Sequence, residues 1–415
     1  MSYITLRKAF HNPKIDAEAL YQERFSNAKT IHIDIDIEGH QAFCFMDEGI
    51  YVRMLSIAKA DKKVLELVTD LPGRALQQFT ERTLIDEIVL TNGIEGVNSS
   101  RKEIGSILRN LEGQNRRKRF YGLVNKYNML LQKTDIPIGA LEDIRKIYDD
   151  LVLNEVVSDR PGNVPDGRLF RKESVSVYNA AGIEIHQGVY PELKIEDCLT
   201  SSLAFLEYEN IELPIRVAIF HYLLGFIHPF YDGNGRLNRF ISSALLLREY
   251  EPLVGLRLSY AITQSIDRYY QEFTTCNSVL NRGDLTPFVL MFLDVIKEAV
   301  DDIVEALSEK RELLGINYRR LYQVEEIVED RNLYDLACLL VQARMFSGDG
   351  ISIHELLEVT GVSRPTIMKR LECILKTGLL EREKVGREVH YQLNLEALAQ
   401  KTKQGAFERV PVNKD

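Results

Sequence analysis

The sequence predicts a mainly α-helical protein with a short β-hairpin in its middle and a smaller mixed unit near its C-terminus. Three observations predict this class. Apolar residues recur at three- and four-residue steps over much of residues 51–322, as on one face of a helix. Residues 174–190 alternate apolar and polar side chains on both sides of a turn. From residue 332 onward, two helical stretches precede two short alternating runs.

Composition limits the classes of protein that the chain can belong to. Its 415 residues exceed one ordinary core, so we expect two or three domains. The net charge of −9 argues against a generally basic protein that coats nucleic acid. The five cysteines form no CxxC pair, which argues against a zinc site and fits a reducing, cytoplasmic location. No run approaches 18 apolar residues, so we expect neither a signal peptide nor a membrane span.

The elements follow in order along the chain. Residues 30–37 alternate as a strand does, and helices are expected from residue 51 to residue 111. Two more helices fall in 123–153, broken around 136–139, and a hairpin in 174–190. A helix apolar nearly all round, about 214–227, precedes one that starts near Gly235. We expect four segments: a mostly helical N-terminal extension (1–110), a helical core (111–310), a C-terminal module (311–400) and a tail (401–415).

Residues 228–239 carry the strongest chemical signal. They read His-Pro-Phe-Tyr-Asp-Gly-Asn-Gly-Arg-Leu-Asn-Arg and join the two central helices. Gly233 and Gly235 allow a tight turn that brings backbone N–H groups close to an anion, at a helix N-terminus that favours negative charge. Arg236 and Arg239 lie three residues apart on one side of that helix and add phosphate donors.

The remaining polar residues of this turn supply the other groups that phosphoryl or nucleotidyl transfer needs. Asn234 has an amide that can bind a phosphate oxygen, and Asp232 is an oxygen ligand suited to Mg²⁺. His228 stands at the rim with a side chain suited to a general base. Positioning, charge neutralisation and a base are what phosphoryl or nucleotidyl transfer requires.

The segment resembles the signature of the Fic family, His-x-Phe-x-[Asp/Glu]-Gly-Asn-Gly-Arg-x-x-Arg, at every specified position. The resemblance implies a mainly α fold and transfer of AMP from ATP to a hydroxyl of a target protein, with Mg²⁺ or Mn²⁺. It implies that His228 deprotonates the acceptor, Asp232 holds the metal and Arg239 meets the γ-phosphate. Phosphate binding would also fall to the turn and first helical positions Gly233, Asn234, Gly235 and Arg236.

Two flanking features agree with this resemblance. The hairpin stands where the family has a flap that docks a target segment by main-chain hydrogen bonding. Its candidate docking residues are Val175, Val177, Ile183 and Ile185. Tyr269 and Tyr270 resemble the aromatic pair that the family places near the nucleotide base, although aromatic pairs also occur as simple core residues.

Upstream, Thr91-Asn-Gly-Ile-Glu95-Gly96 resembles an inhibitory motif of many Fic proteins, [Ser/Thr]-x-x-x-Glu-[Gly/Asn]. A Glu95 carboxylate paired with Arg239 would occupy the group needed for the γ-phosphate and misalign ATP. The same Glu95 could instead orient a water for hydrolytic removal of AMP. We therefore expect an autoinhibited enzyme.

The C-terminal module resembles a winged helix-turn-helix. Gly361 is the turn residue, Ser363 an N-cap, and Gly386 the centre of a hairpin. Residues 361–387 carry seven basic residues against three acidic ones, which suits DNA phosphates. Winged helices also contact proteins or dimerise, so the partner stays open.

Several functions fit these features. The leading hypothesis is an ATP-dependent protein adenylyltransferase, autoinhibited by Glu95, acting on a Tyr, Thr or Ser hydroxyl of a target protein or of itself. A rival is the same site acting mainly in de-AMPylation. A rival of another class is a DNA-binding regulator whose Fic domain senses nucleotide. A homodimer is compatible with the sequence, and no membrane contact is expected.

Overall fold

The computed structural model describes residues 3–111, 118–178, 184–347, 349–385 and 388–403. It is mainly helical, which confirms the predicted fold class. None of the helices in these ranges is both long enough and apolar enough to cross a membrane. The helices are α1 Leu6–Phe10, α2 Ala17–Phe25, α3 Glu48–Asp70, α4 Gly73–Ile94, α5 Arg101–Leu108, α6 Tyr121–Leu131, α7 Leu141–Tyr148, α8 Asn154–Asp159, α9 Glu192–Leu206, α10 Leu213–Ile227, α11 Asn234–Leu246, α12 Pro252–Gly255, α13 Leu258–Gln264, α14 Ile266–Cys276, α15 Thr286–Leu321, α16 Glu325–Val328, α17 Arg331–Phe346, α18 Ile353–Thr360, α19 Arg364–Lys376 and α20 Leu395–Lys403.

The strands form three small antiparallel sheets with the orders β1-β2, β3-β4 and β5-β7-β6. The strand predicted at residues 30–37 is confirmed, and it pairs with a second strand that the sequence did not predict. The two-residue turn between them has positive φ at both Glu38 (52°) and Gly39 (84°), the geometry of a tight hairpin. The strands are β1 Thr30–Ile37, β2 His40–Phe45, β3 Ser176–Tyr178, β4 Glu184–Gln187, β5 Ile351–Ser352, β6 Leu380–Val385 and β7 Glu388–Leu393.

The chain divides into two compact units. One comprises Met1–Val64 with Thr83–Ile303, and the other Leu65–Arg82 with Val304–Asp415. The four-segment division expected from the sequence stays a prediction.

The first unit is built around α10 and α11. Every residue of α10 except Arg216 and Gly225 is buried, as its continuous apolar sequence predicts. Most of α11 is buried too, including its polar residues Asn234, Asn238, Ser242 and Ser243. The Asn238 side chain donates to the His221 carbonyl oxygen at 2.7 Å, so polar groups as well as apolar ones fix the two helices together. Because residues 228–233 join these helices, the predicted site lies at the edge of the core.

The second unit contains the elements expected for the C-terminal module. A capping box of Ser352 and Glu355 opens α18, and Gly361 ends it in the left-handed conformation at φ 65°. After α19, the strands β6 and β7 pair from Leu380↔Leu393 to Val385↔Glu388. The helix, turn, helix and hairpin predicted for these segments are therefore confirmed as elements. Gly386 and Arg387 lie outside the described residues.

Candidate active site

The turn between α10 and α11 depends on one glycine. Gly233 caps α11 in the left-handed conformation at φ 81°, which only glycine adopts at little cost. A Cβ at this position would also lie 2.9 Å from Cγ2 of Val152, in the π-helical turn Asp149–Leu153. Both backbone conformation and space therefore require glycine at this position.

The Asn234 side chain closes the turn on itself. Its Oδ1 accepts from the Phe230 N–H at 3.0 Å, and its Nδ2 donates to the Phe230 carbonyl oxygen at 2.8 Å. Both ends of the amide are thus occupied by backbone in this conformation. Its predicted contact with a phosphate oxygen stays a prediction, and the observed contribution of Asn234 is to shape the loop.

Phe230 anchors the same loop to the core. Its ring is fully buried and stacks on Tyr148 with a centroid separation of 3.6 Å and an interplanar angle of 7°. Aromatic pairs of this kind add about 0.5–1.5 kcal/mol to the burial of the rings. His228, two residues earlier, therefore lies on a loop that is fixed by the Asn234 hydrogen bonds and by the packing of Phe230.

His228 ends α10 in a left-handed conformation, at φ 53°. Its Nδ1 lies 3.4 Å from the Gly225 carbonyl oxygen, so the proton belongs on Nδ1 and the lone pair on Nε2. Burial, and to a smaller extent the neighbouring His186, lowers the pKa of His228 to about 3. The imidazole is consequently neutral at physiological pH, the form that a general base needs.

Arg236 is buried against Glu155 of α8, with 2.9 Å between Nη1 and Oε2. Glu155 also accepts the Phe120 N–H at 3.1 Å. Burial raises the pKa of this carboxyl, although the charge of Arg236 opposes that shift. The Arg236 Nε is buried and has no hydrogen-bond partner among the described residues. A buried donor of this kind is suited to an anionic group of a ligand.

Arg239 is almost completely buried and is held by the end of α4. Its Nε donates to Thr91 Oγ1 at 2.7 Å, and its Nη2 donates to the Thr91 carbonyl oxygen and to Glu95 Oε1, both at 2.9 Å. A Cβ built on Gly235 would lie only 2.1 Å from Glu95 Oε1. The Glu95 carboxylate therefore covers the first turn of α11, where the sequence predicts that phosphates bind.

The two predicted aromatic residues lie near this ion pair. Burial raises the pKa of Tyr270, and the charge of Glu95 adds to that shift. Tyr269 is buried, its hydroxyl lies 2.7 Å from Nε2 of His221, and its ring is 5.4 Å from that of Tyr270. The structure thus brings the tyrosine pair, Arg239 and Glu95 into one region.

The predicted hairpin is present as β3–β4, and within the described residues no third strand pairs with it; its function as a flap stays a prediction. Val177 lies opposite His186, and the Val175 carbonyl oxygen accepts the Gly188 N–H at 2.9 Å. Both valines are half-buried. Ile183 lies outside the described residues, and of Ile185 only the backbone, in β4, is described.

Asp232 is half-buried, and its Oδ1 accepts the Gly233 N–H at 2.6 Å. In the part of the chain that the structure describes, no three His, Cys, Asp or Glu side chains cluster as a metal site. A divalent cation at Asp232 would therefore need ligands from elsewhere, and nucleotide phosphates are the ligands that Mg²⁺ uses in such sites.

Four residues that the sequence did not single out support the site. They are Glu87, which accepts from the Ser259 backbone and hydroxyl; Glu155, which pairs with Arg236; Arg171, which donates to the His228 carbonyl oxygen; and His186, which contacts the Phe226 carbonyl oxygen. Each is a single charged or titratable residue whose partners are distant in sequence. In the sequence, the only available signal would have been a charged or titratable residue flanked by mostly apolar residues.

Comparison with known proteins agrees with this geometry. Residues 139–246 match the model of the Fic/DOC family. They include α10, the turn and α11, so this part of the chain is similar to the Fic/DOC domain.

Curated relatives carry the same segment. The protein adenylyltransferase Fic of Aedes aegypti is 36% identical over 115 residues, and that of Culex quinquefasciatus is 34% identical over 117. Each alignment covers 28% of this chain, and the chain spans only about a fifth of each relative's length, 20% and 21%. The crystal structure of a Fic family protein from Desulfovibrio desulfuricans matches 88% of this chain and 98% of its own, with a TM-score of 0.52 and 21% identity. This last likeness concerns the fold alone.

Proposed function

We propose that the chain is a protein adenylyltransferase, which transfers AMP from ATP to a hydroxyl side chain of a target protein. The observation that carries the proposal is the turn of residues 228–239, where a neutral histidine, a helix N-terminus and two buried arginines lie on one loop and its helix. The names of the insect relatives support the reaction type over this same segment.

The chain's own residues account for the transfer as follows. His228 Nε2 takes the proton of the acceptor hydroxyl, and the resulting oxygen attacks the α-phosphorus. The new O–P bond forms as the bond to the β-phosphate oxygen breaks, and pyrophosphate leaves with the charge. The backbone N–H groups at the start of α11, together with Arg236, neutralise charge on the phosphates, and Arg239 takes the γ-phosphate.

The proposal includes a divalent cation, Mg²⁺ or Mn²⁺, with Asp232 as its protein ligand. Asp232 fits this function because it is half-buried and lies at the start of the phosphate turn. When bound, such an ion would neutralise charge on the phosphates of the nucleotide. Asp232→Asn is then expected to lower transfer more at low than at saturating metal concentration.

Autoinhibition by Glu95 is part of the same proposal. The carboxylate takes one N–H of Arg239 and covers the first turn of α11, so a triphosphate can enter only in a displaced pose. An α-phosphorus displaced by about 1 Å can lower the rate by about 100-fold. The wild-type chain is therefore expected to be nearly inactive, and Glu95→Gly active.

A transfer assay tests the proposal. Wild type, Glu95→Gly and Glu95→Gly with His228→Ala are incubated with α-labelled ATP and host lysate. Label should join protein strongly with Glu95→Gly only, on a target or on the enzyme itself. Glu209→Gly, which alters an exposed turn carboxylate, serves as the matched control. Equal labelling by all four chains would refute the proposal.

The reverse reaction is the alternative for the same site. Glu95 lies 2.9 Å from Arg239 and over the phosphate turn, where a carboxylate can also orient a water against an AMP ester. Purified labelled target returned to the wild-type chain distinguishes the two activities. Release of AMP by wild type but not by Glu95→Gly would favour de-AMPylation.

A second candidate function concerns the C-terminal unit, which we infer is a winged helix-turn-helix that contacts DNA. Within residues 361–385 of this unit, five basic side chains are exposed and a sixth, Arg370, is half-buried. None of the six makes a hydrogen bond or ion pair within the described residues. The exposed five are Arg364, Lys369, Lys376, Arg382 and Lys384. Unpaired cations on a helix and an adjacent hairpin suit phosphates of a duplex.

The salt dependence of duplex binding by the full chain tests this second candidate. Lys369→Ala should weaken binding and reduce the salt slope by about 1, whereas Lys62→Ala on α3 serves as control. Binding that is independent of salt and of Lys369 would favour a protein partner instead. A cytoplasmic location and a homodimer complete the proposal; the five free cysteines fit the location.

A further inference from the structure

The C-terminal end of α10 leaves carbonyl groups that the helix itself cannot satisfy. His228 itself accounts for two of them: its N–H donates to the Leu224 carbonyl oxygen at 3.0 Å, and its Nδ1 lies 3.4 Å from the Gly225 carbonyl oxygen. The next carbonyl oxygens accept from residues of the segment 171–189, which contains the flap. His186 Nε2 lies 2.9 Å from the Phe226 oxygen, and the Val189 N–H donates to the Ile227 oxygen at 3.1 Å. The end of the helix that carries His228 is therefore closed by the flap segment.

Arg171 makes most of these contacts. Its Nε donates to the His228 carbonyl oxygen at 2.9 Å, and its backbone N–H to the Pro229 oxygen at 3.2 Å. Its Nη2 donates to the Val189 oxygen at 2.8 Å and reaches the Ile227 oxygen at 3.4 Å. One planar guanidinium thus spans the base of the flap and the loop of the histidine.

Two features show that Arg171 is tightly packed between the flap segment and the His228 loop. Arg171 is fully buried, yet its guanidinium is paired with carbonyl oxygens and with no carboxylate in the described part of the chain. Gly188 lies directly against it: a Cβ there would be 2.6 Å from Arg171 Nη2, 3.1 Å from His228 Cβ and 3.3 Å from the Ile227 oxygen. Any side chain at position 188 would push the guanidinium and the histidine apart.

His186 adds a second connection from the flap strand itself. Its ring stacks on Phe226 with an interplanar angle of 8° and a centroid separation of 5.6 Å. Burial lowers the pKa of His186, so the ring is neutral and its Nε2 carries the proton that faces the Phe226 carbonyl oxygen. The strand β4 is thereby fixed to the last turn of α10.

We infer that Arg171 is a positioning residue that holds the flap and the His228 backbone as one rigid unit, so that a target segment docked on the flap presents its hydroxyl to Nε2. We call Arg171, His186 and Gly188 the flap latch. This inference rests on the proposed function. The latch does not contact the first turn of α11 or Arg239 in any described hydrogen bond, so nucleotide binding should not depend on it.

The test uses the full chain with Glu95→Gly as parent, adding Arg171→Met, Arg171→Lys, Gly188→Ala or the control Gly162→Ala. A Cβ at Gly162 meets nothing within 4 Å, so this variant matches Gly188→Ala in chemistry but not in contacts. Gly188→Ala keeps the buried charge and remains informative if Arg171→Met does not fold. Two quantities are measured: amide hydrogen exchange of peptides covering 184–189 and 224–229, and AMP transfer alongside the Kd for ATP.

The latch predicts exchange roughly tenfold faster in those peptides for Arg171→Met and Gly188→Ala, with the rest of the unit unchanged. Transfer should fall roughly 10- to 100-fold while the Kd for ATP stays within about twofold, and Arg171→Lys should be intermediate. Exchange and transfer equal to the Gly162→Ala control would overturn the inference. A parallel loss of ATP affinity would also overturn it, because it indicates a general structural role. If the Glu95→Gly parent transfers no AMP, the proposed function fails, and the exchange data still decide whether the latch exists.

Discussion

At the scale of single residues, Arg239 is paired with Glu95 and is also the side chain proposed to bind the γ-phosphate. In the structure its Nε and Nη2 donate to Thr91 and Glu95, and the side chain has almost no exposure. Hydrogen bonds to charged groups are worth about 1.5–3 kcal/mol each, so a γ-phosphate must displace a strong partner. The proposed inhibition would then require no change of fold, only that the Glu95 carboxylate stays bound to Arg239.

Thr91→Val tests how much of the proposed inhibition depends on the hydrogen bond from Arg239 to Thr91 and how much on the one to Glu95. The variant keeps shape but removes the Oγ1 that accepts from Nε at 2.7 Å, while Glu95 keeps its own contact. We expect a transfer rate between those of wild type and Glu95→Gly, because Arg239 is less firmly held. Thr69→Val, at an exposed site on α3, is the control. A rate at or below that of wild type would indicate that Thr91 only stabilises the fold.

The protonation of His228 gives a second prediction at this scale. A base acts in its neutral form, which dominates above its pKa, and burial lowers that pKa to about 3. The kcat/KM for AMP transfer by Glu95→Gly should therefore not fall through His228 between pH 7.5 and 5.5. A histidine with the ordinary pKa of about 6.5 would lose roughly tenfold over that range. A pH profile with an inflection near 6.5 would contradict the environment described for this ring.

At the scale of elements, α4 positions Glu95, the residue proposed to inhibit the site. Glu87, Thr91 and Glu95 follow one another at four-residue steps, so they share one side of the helix and the turn that ends it. Glu87 is buried and accepts from the Ser259 N–H at 2.9 Å and from its hydroxyl at 2.6 Å, at the start of α13. The contact holds the preceding turn of α4 in place, which fixes where Glu95 emerges.

Glu87→Gln tests this anchoring through stability. Burial raises the pKa of Glu87 to about 7. As pH rises from about 4.5 to 7, the unfolded chain releases a proton that the folded chain keeps, so Glu87 lowers the free energy of unfolding. The upper limit is about 3 kcal/mol at 1.36 kcal/mol per pKa unit. Glu87→Gln should flatten the fall of Tm over this range, whereas the exposed Glu81→Gln should not; equal slopes in all three proteins would contradict the account.

The elements also explain what sequence could and could not predict. Strand β1 and the helices around the turn follow from local periodicity, and the turn itself from its glycines, because these signals lie within a few residues. Arg171 and Glu155 give no such signal, since their partners His228 and Arg236 are 57 and 81 residues away. A charged residue outside any motif looks like a solvated one until the fold buries it.

At the scale of the whole molecule, the chain consists of two units with different chemistry. The first holds every residue proposed for transfer, from Glu95 to Tyr270. The second holds the six unpaired basic side chains proposed to contact DNA.

This division predicts that the two activities can be separated. Lys369→Glu with Lys384→Glu should abolish salt-dependent binding to DNA, because it reverses two charges on the helix and hairpin. The same pair of changes, placed in Glu95→Gly, should leave the rate of AMP transfer within about twofold, since both residues belong to the second unit and the proposed site residues to the first. The reciprocal control is His228→Ala, which should bind DNA normally. A large loss of transfer in the double variant would show that the second unit takes part in catalysis.

The most direct test of the central claim compares two labelled forms of ATP on the Glu95→Gly chain. The claim is that the turn of residues 228–239 attaches the α-phosphorus to a protein hydroxyl through His228 and is blocked by Glu95. Label from the α-position should remain on protein after denaturation, and label from the γ-position should leave as pyrophosphate. The wild-type chain and the His228→Ala double variant should retain little of either. Retention of the γ-label, or equal α-labelling with and without His228, would contradict the claim.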